Sequence, residues 1–247
     1  MQPLRSLVFV IFLILLLSLN YPQPGLAEQG SDMQFLSPGE GSLVTSPIHL
    51  AAEITSNPVS MVRTVLVDRG GITLARQLLR VSQDVGGDPF QFTTLIPFDI
   101  PETSVEALLT VTAIDADYRP IVTRSVTVML QSGGEPELQA QQPEVNWLDL
   151  TEPEPLQAFS GGEIHMKGTV TPLTQEPVVI ELITSEGRVV GSTQLPVAQP
   201  GQLFEVDLTL PYSRVKTSTN TRLIVRQAAD PYQTDAILDS LLITLLP

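Results

Sequence analysis

The chain has 247 residues, of which 43% are apolar and 16% are charged, a balance that is typical of a globular protein and excludes extended disorder. The net charge of −14 at pH 7 would repel phosphate backbones, so we expect no nucleic-acid partner. The length predicts two domains, and the lack of cysteine excludes disulfides and cysteine-linked lipid anchors.

The first 27 residues have the order of a secretory signal peptide. One arginine and the terminal amine precede an apolar run at residues 7–19, which is shorter than the ~20 residues that a membrane-spanning helix needs. Two prolines follow the run, and Gly25-Leu26-Ala27 places small residues at positions −3 and −1 before Glu28. We expect cleavage after Ala27 and export, and the alternative is an uncleaved N-terminal membrane anchor.

Beyond this segment, apolar and polar residues alternate with the period of two that is typical of β-strands. The clearest alternating runs are residues 48–54, 90–96, 109–113 and 125–130. Turn signals rich in Gly, Pro and Asp separate these runs, at residues 37–42, 68–71, 85–89 and 115–120. No amphipathic helix is predicted after the signal segment.

A polar stretch, QSGGEPELQAQQP at residues 131–143, interrupts the pattern. It has almost no apolar residue able to anchor a core, and glycine and proline bound it. We predict a short flexible linker here, between a first domain at residues 28–130 and a second at residues 144–247.

The pattern then repeats, which indicates a tandem duplication. PIHLAAEIT (47–55) aligns with EIHMKGTVT (163–171), and FQFTTLIPF (90–98) aligns with FEVDLTLPY (204–212) after a loss of two residues. Each unit of roughly 100 residues holds about seven strands. The predicted fold is all-β, with two tandem immunoglobulin-like antiparallel β-sandwiches. Barrels are the alternative, since the Cys…Trp…Cys signature of antibody domains is absent.

The first unit resembles the bacterial spore-germination immunoglobulin-like domain family. The shared features are two Ser-Pro pairs, a Gly-Ser turn, an Asp…Gly hairpin and a Phe-led strand, here Ser37-Pro38, Ser46-Pro47, Gly41-Ser42, Asp68 with Gly71, and Phe90. The second unit lacks both Ser-Pro pairs but keeps the hairpin at Glu186-Gly187. The resemblance implies an extracytoplasmic accessory or interaction domain without catalytic residues.

Two histidines are the first candidates for metal or acid–base chemistry. His49 and His165 occupy one strand position in the two repeats, opposite the apolar row. A metal site needs two or three ligands that converge, whereas these two belong to separate sandwiches. We therefore expect solvent-facing scaffold residues, and the prediction includes no metal and no cofactor.

Asp115 and Asp117 form a second candidate, because calcium favours clustered carboxylates. Asp68, Asp84 and Asp88 are conceivable partners. The repeat opposes this interpretation, since Ala229 and Pro231 stand at the matching positions. Aspartate also favours turns without any metal, and we expect that role here.

Trp147 is the only tryptophan and suggests a sugar-stacking platform. Its counterpart in the first unit is Phe35 on the equivalent first strand, which favours a packing role for both residues. An exposed platform would also draw on Phe92 and Phe98.

Catalytic motifs are missing from the sequence. Both histidines lie within strands rather than on loops, as a Ser–His nucleophile would need, and no phosphate-binding glycine loop is present. A glycosidase-like carboxylate pair depends on spatial separation, and nothing singles out two of the 27 acidic residues. Asp149, Glu152 and Glu154 form an acidic edge that is either solvated or a docking strip for a basic partner.

We expect a non-enzymatic extracytoplasmic interaction or structural protein, secreted or in a bacterial cell envelope. Its partner would be a protein or an envelope polymer, and it would touch the membrane only through an uncleaved N-terminal segment. The alternatives are a module that binds carbohydrate or cell-wall polymer and, less favoured, an envelope hydrolase.

Overall fold

The structure is a computed structural model that describes residues 32–55, 58–81, 89–141 and 146–247. The predicted signal segment and two of the calcium candidates, Asp84 and Asp88, lie outside these residues. All regular structure in the described residues is β-strand, and this part of the chain has no helix long and apolar enough to cross a membrane.

The described residues form sixteen strands in two consecutive sets of eight, called unit 1 and unit 2 here. Unit 1 contains β1 (Asp32–Ser37), β2 (Ser42–Thr45), β3 (Ile48–Thr55), β4 (Met61–Asp68), β5 (Thr73–Arg80), β6 (Phe90–Ile96), β7 (Ser104–Ile114) and β8 (Pro120–Gln131). Unit 2 contains β9 (Leu148–Glu152), β10 (Ala158–Phe159), β11 (Glu163–Val170), β12 (Val178–Thr184), β13 (Val189–Leu195), β14 (Phe204–Pro211), β15 (Thr219–Ala229) and β16 (Thr234–Leu245).

The two units have the same strand order. In unit 1 a three-stranded sheet, β1-β3-β6, faces the larger sheet β5-β4-β7-β8, to which β2 adds in parallel. In unit 2 β9-β11-β14 faces β13-β12-β15-β16, with β10 parallel to β16. Apart from the position of the fifth strand, this is the immunoglobulin strand distribution. The predicted fold of two tandem immunoglobulin-like sandwiches is confirmed.

Alternating apolar side chains fill each sandwich, as the sequence pattern predicts. On β3, Ile48, Leu50 and Ile54 are buried, whereas His49 between them faces solvent. The two cores are separate clusters, one built from residues 33–130 and the other from residues 147–245.

The first strand of each unit is split in two, which raises the count from about seven strands to eight. β1 pairs with β3 in the small sheet, and after the turn at residues 38–41 the chain crosses to the large sheet as β2. Gly41 adopts a φ of +74° in this turn, a conformation that few other residues tolerate.

Side chains of the turns define the hairpin between the fourth and fifth strands. Asp68 Oδ1 accepts hydrogen bonds from backbone N–H groups two and four residues on, at 2.9 and 2.8 Å, and Gly71 has a φ of +81°. Thr184 takes the place of the aspartate in unit 2, where Gly187 has a φ of +75°. The Asp…Gly signal in the sequence therefore acts through local turn chemistry.

The large sheets of the two units join into one. β16 pairs antiparallel with β8 through Leu238 opposite Thr123 and Asp239 opposite Val122. The result is a continuous ten-stranded sheet that includes β2 and β10. This strand pairing fixes the orientation of unit 1 relative to unit 2.

The predicted linker packs against unit 1 over part of its length. Leu43 and Glu137 exchange two backbone hydrogen bonds of 2.9 Å, and the backbone N–H of Gln139 donates to Ser42 Oγ at 2.9 Å. The boundary at residues 131–143 stays a prediction, but the described part of this segment follows the surface of unit 1.

Candidate functional site

The junction between the units is built from two equivalent turns. Residues 115–119, between β7 and β8, contact unit 2, and residues 230–233, between β15 and β16, contact unit 1. Tyr118 and Tyr232 stand at equivalent positions of the repeat, so the equivalent turn of each unit contacts the other unit. The junction therefore resembles the two-fold interface of a homodimer, formed here within one chain.

One half of this interface is a buried ion-pair network. Asp115 Oδ2 accepts hydrogen bonds from Arg119 Nε at 2.9 Å and from Arg222 Nε at 2.8 Å. These three residues are only 4%, 5% and 1% exposed. Arg119 also donates to the backbone carbonyl of Asn220 at 3.1 Å, which ties the turn to unit 2 a second time.

The charges of this network are mutually stabilised. Burial alone would raise the pKa of Asp115, but hydrogen bonds and charge from Arg222 and Arg119 outweigh it and hold the pKa below its usual value. Two guanidinium groups and one carboxylate leave a net positive charge, which Asp117 offsets by pairing with Arg119 at 3.0 Å.

The other half of the interface is apolar. A buried cluster there joins the two units, with Val67, Leu108, Ala229, Tyr232 and Ala236 as its members. Leu108 stands at the repeat position of Arg222, so the duplicated contact is apolar on one side and charged on the other.

Tyr232 adds one polar contact at the edge of the apolar half. Its hydroxyl donates to Glu106 Oε1 at 2.6 Å. Burial and the neighbouring Glu106 carboxylate together raise the pKa of Tyr232 well above its ordinary value.

A third set of contacts lies on the opposite face of the junction. Arg124 from β8 donates to Asp239 of β16 at 2.9 Å and pairs with Asp32 of β1 at 3.5 Å. The indole N–H of Trp147 donates to the other oxygen of Asp239. Burial raises the pKa of Asp239, although Arg124 and Trp147 oppose this effect.

These polar residues border a cavity of about 490 Å³, called the groove here. It opens between β9 and the large sheet of unit 2, and Asp32 and Arg124 of unit 1 close one end. Its other walls are mainly apolar and include Trp147, Leu148, Leu150, Pro153, Pro155, Leu223, Val225 and Leu241. β9 pairs only with β11, so its other backbone edge has no strand partner among the described residues.

The histidines lie apart from the junction network. His49 is exposed on β3 in the small sheet of unit 1. His165 is 43% exposed on β11, and its ring nitrogens contact Glu152 at 3.3 Å and Asp207 at 2.8 Å. No group of three or more His, Asp or Glu side chains in the described part of the chain is arranged to hold a metal ion.

The structure separates the described calcium candidates. Asp68 pairs with Ala107 in the sheet, and Asp115 follows Ile114, so seven residues of β7, about 23 Å, lie between the two ends. Asp115 is turned toward arginines, and its other oxygen accepts from the backbone of Asp117 and Arg119 at 2.9 Å.

The aromatic candidates form no exposed platform. Phe35, Phe92 and Trp147 are 2%, 8% and 1% exposed, and Phe98 is partly buried against the core of unit 1. The packing role expected for Phe35 matches its place in that core. Trp147 belongs to the core of unit 2 and also borders the groove.

Two carboxylates border the groove, but neither is free. Asp32 and Asp239 both pair with Arg124, and Asp239 also accepts the indole hydrogen bond. A hydrolytic pair needs one protonated acid and one available base, whereas here Arg124 pairs with both carboxylates. Of the acidic edge, Asp149 and Glu154 are exposed, while Glu152 contacts His165.

Sequence reasoning missed the residues of the junction. Asp115 was singled out for another role, and Arg119, Arg124, Arg222 and Asp239 were not singled out. One signal was available, because ALLTVTAI in β7 is apolar or weakly polar on both faces, and every one of these residues is buried. A strand buried on both faces indicates that something covers the outer face of its sheet.

Comparisons with known proteins add no family. No family model and no curated protein matches the chain. Among solved structures it is similar to the Clostridium thermocellum CbhA fibronectin(III)-like modules, with 15% identity over 87% of this chain and 94% of that chain and a TM-score of 0.27. A chimeric titin Z1Z2-Z1Z2 tandem matches with 13% identity over 87% and 98% and a TM-score of 0.24.

The N-terminal four Ig domains of Dscam1 isoform 4.4 match with 13% identity over 89% of this chain and 47% of that chain, at a TM-score of 0.24. Likenesses this weak carry no argument about function, and the fold assignment stands on the strand order. This fold hosts many unrelated functions, so it does not by itself assign one.

Proposed function

We propose that this chain is an exported, non-enzymatic interaction module whose two sandwiches work as one rigid body. The observation that carries the proposal is the junction, where strand pairing, a buried ion-pair network and an apolar cluster all join the units. Tandem domains that move freely share smaller and more polar contacts. A fixed junction lets residues of both units form a single binding surface.

The groove is the binding surface that we favour. It combines apolar walls, charged residues at one end and the unpaired edge of β9, which are the elements needed to add an extended partner strand. Backbone hydrogen bonds to β9 would supply affinity, and Leu148 and Leu150 would supply apolar contacts. We therefore propose a protein partner that contributes an extended segment with apolar side chains.

Location in the cell envelope or outside the cell is part of the same proposal. The signal-like order of the first 27 residues supports it. Membership of the spore-germination immunoglobulin-like family is also proposed. Its support is the turn chemistry at Gly41 and Gly71.

Photo-cross-linking in the native envelope tests the proposed partner. A photoreactive amino acid at Leu150, which is half-buried on β9, should give a discrete cross-linked protein band. The same label at Leu203, 59% exposed in unit 2 and outside the groove, is the matched control and should give none. Equal labelling from both sites, or retention by wall polymer without a protein band, would contradict this function.

Sequencing the N-terminus of the protein from the same sample tests export. A start at Glu28 is expected. A retained apolar segment in the membrane fraction would indicate an anchored protein instead, and an intact N-terminus in the cytosol would contradict export.

A further inference from the structure

A second cavity, of about 430 Å³, lies at the junction on the face opposite the groove, and we call it the arginine pocket. Both units contribute to its walls. Unit 1 provides Arg63 of β4, Arg76 of β5 and Thr110 of β7, and unit 2 provides Arg226 and Asp235. The pocket therefore exists only when the units are joined.

The positive charge in this pocket contrasts with the rest of the molecule. The chain carries a net charge of −14, yet three of its eleven arginines meet here. Arg226 is neutralised by Glu181 at 3.1 Å and Asp235 at 2.9 Å. Arg63 and Arg76 form no ion pair with any described residue, so the pocket keeps a net positive charge despite the two carboxylates on Arg226.

Buried donors that lack partners point into the same space. Thr110 is 4% exposed, and its hydroxyl has no hydrogen-bond partner among the described residues. The Nε–H of Arg63 is buried and unpaired as well. Buried polar groups are rarely left without partners, because an unmade hydrogen bond there costs stability.

The pKa of the Arg63 guanidinium also indicates that added negative charge would stabilise this pocket. Burial and the adjacent charge of Arg76 lower the pKa of the Arg63 guanidinium, and Asp235 opposes this only in part. An anion between the two arginines would reverse the effect by stabilising both charged forms.

We propose that the arginine pocket binds a tetrahedral oxyanion, a phosphate or sulfate group, between Arg63 and Arg76, with the Thr110 hydroxyl as a further donor. A planar carboxylate fits one guanidinium fork, whereas a tetrahedral group presents oxygens in several directions and matches donors from three strands. The three guanidinium groups and the two carboxylates Glu181 and Asp235 leave one net positive charge, which a bound anion would offset. The inference is independent of the groove and of its partner.

Thermal unfolding of the mature chain in phosphate and in sulfate tests this inference, with sodium chloride and sodium acetate at matched ionic strength as references. Ligand that binds only the folded state raises Tm with its concentration. We expect a saturable rise with phosphate or sulfate and little change with acetate. Comparing the two oxyanions shows which one the pocket prefers.

Variants separate binding from general salt stabilisation, which sulfate also causes. Arg76→Gln, at an exposed position, should weaken the apparent affinity at least tenfold. Arg80→Gln is the matched control, an exposed arginine of the same strand outside the pocket, and should leave it unchanged. Thr110→Val should fold normally, because the hydroxyl it removes has no partner, yet it should also weaken binding.

Several results would overturn the inference. One is a Tm response that is the same in wild type and Arg76→Gln. Another is a response to acetate equal to that to phosphate and sulfate, which would reject the tetrahedral assignment. A third is that the single variants Thr110→Val and Arg63→Gln both bind phosphate or sulfate as tightly as the wild type.

Discussion

Asp115 shows how much one side chain contributes to this molecule. Its carboxylate closes a turn through the backbone of Asp117 and Arg119, and it also binds Arg222, which lies 107 residues further along the chain. A residue that would be an ordinary turn former in an isolated domain thus becomes the centre of a contact between two domains.

Removing this carboxylate should be costly. Asp115→Ala removes the carboxylate that the buried guanidinium groups of Arg119 and Arg222 share, and breaking a buried pair costs about 3–5 kcal/mol. Denaturant unfolding should show a loss of this size. The control is Asp117→Ala, because Asp117 is 46% exposed and its pair with Arg119 should contribute less than about 1 kcal/mol. Equal losses in the two variants would contradict a special role for Asp115.

Acid should weaken the same contact. The pKa of Asp115 is lowered on folding, so its ionised form stabilises the protein above the unfolded value of about 3.9, and this contribution is lost as pH falls through the folded value. The contribution of Asp239 to stability changes with pH in the opposite direction. Burial raises the pKa of Asp239, so protonation at low pH relieves the cost of burying its charge. The total pH dependence therefore mixes the two residues.

Comparison with Asp115→Asn isolates the Asp115 contribution. The difference in unfolding free energy between wild type and this variant should be largest above about pH 5 and should shrink below about pH 3.9. Urea titrations across this range measure it. Parallel curves for the two proteins would show that Asp115 titrates normally.

At the level of elements, β9 lies unusually close to β11. A Cβ atom on Gly168 of β11 would fall 2.2 Å from the carbonyl oxygen of Asp149 and 2.9 Å from Cα of Leu150, both backbone atoms of β9. The ladder shifts register at this point. Unit 1 has Ala52 at the matching repeat position, so the close approach is particular to the strand that borders the groove.

Gly168→Ala should therefore push β9 away and destabilise unit 2 by about 1–3 kcal/mol, the usual cost of overpacking. Hydrogen exchange should increase along β9 and change little in unit 1. Gly133→Ala is the control, because a Cβ there meets nothing within 4 Å. An unchanged free energy of unfolding in Gly168→Ala would mean that β9 is not held close to β11.

The hairpin between β15 and β16 makes a second testable contact. Tyr232→Phe removes the hydrogen bond to Glu106 and should lower the free energy of unfolding by about 0.5–1.5 kcal/mol, the range for a hydrogen bond between uncharged groups. The loss should stay in this range because Glu106 is partly exposed and can bind water instead. Tyr118→Phe changes the repeat equivalent, which is 68% exposed, and should have no measurable effect on unfolding. A loss in both variants, or in neither, would argue against the contact.

The strands and the duplication were predictable because their signals are local. The alternation of Ile48, Leu50 and Ile54 depends only on the period of a strand with one buried face. The pairing of β8 with β16 has no such signal, since two backbone edges can meet whatever their side chains. The contact of Asp115 with Arg222 was hidden for another reason: the second unit lacks the aspartate, and the sequence indicated only a turn role for Asp115.

The described part of the chain forms a ten-stranded sheet with a three-stranded sheet packed on each end. The duplicated turns hold the units from both sides of the β8–β16 pair, one through charges and the other through apolar contacts. Both cavities described above have walls from both units, so their shapes depend on a fixed arrangement.

A distance measurement between the units tests this rigidity most directly. The chain has no cysteine, so spin labels can be attached only where cysteine is introduced, here at the exposed positions Thr93 of unit 1 and Gln194 of unit 2. Double electron–electron resonance should give a single narrow distance distribution, which broadens when Asp115→Ala is added. A broad or multiple distribution in the otherwise wild-type chain would contradict the rigid junction.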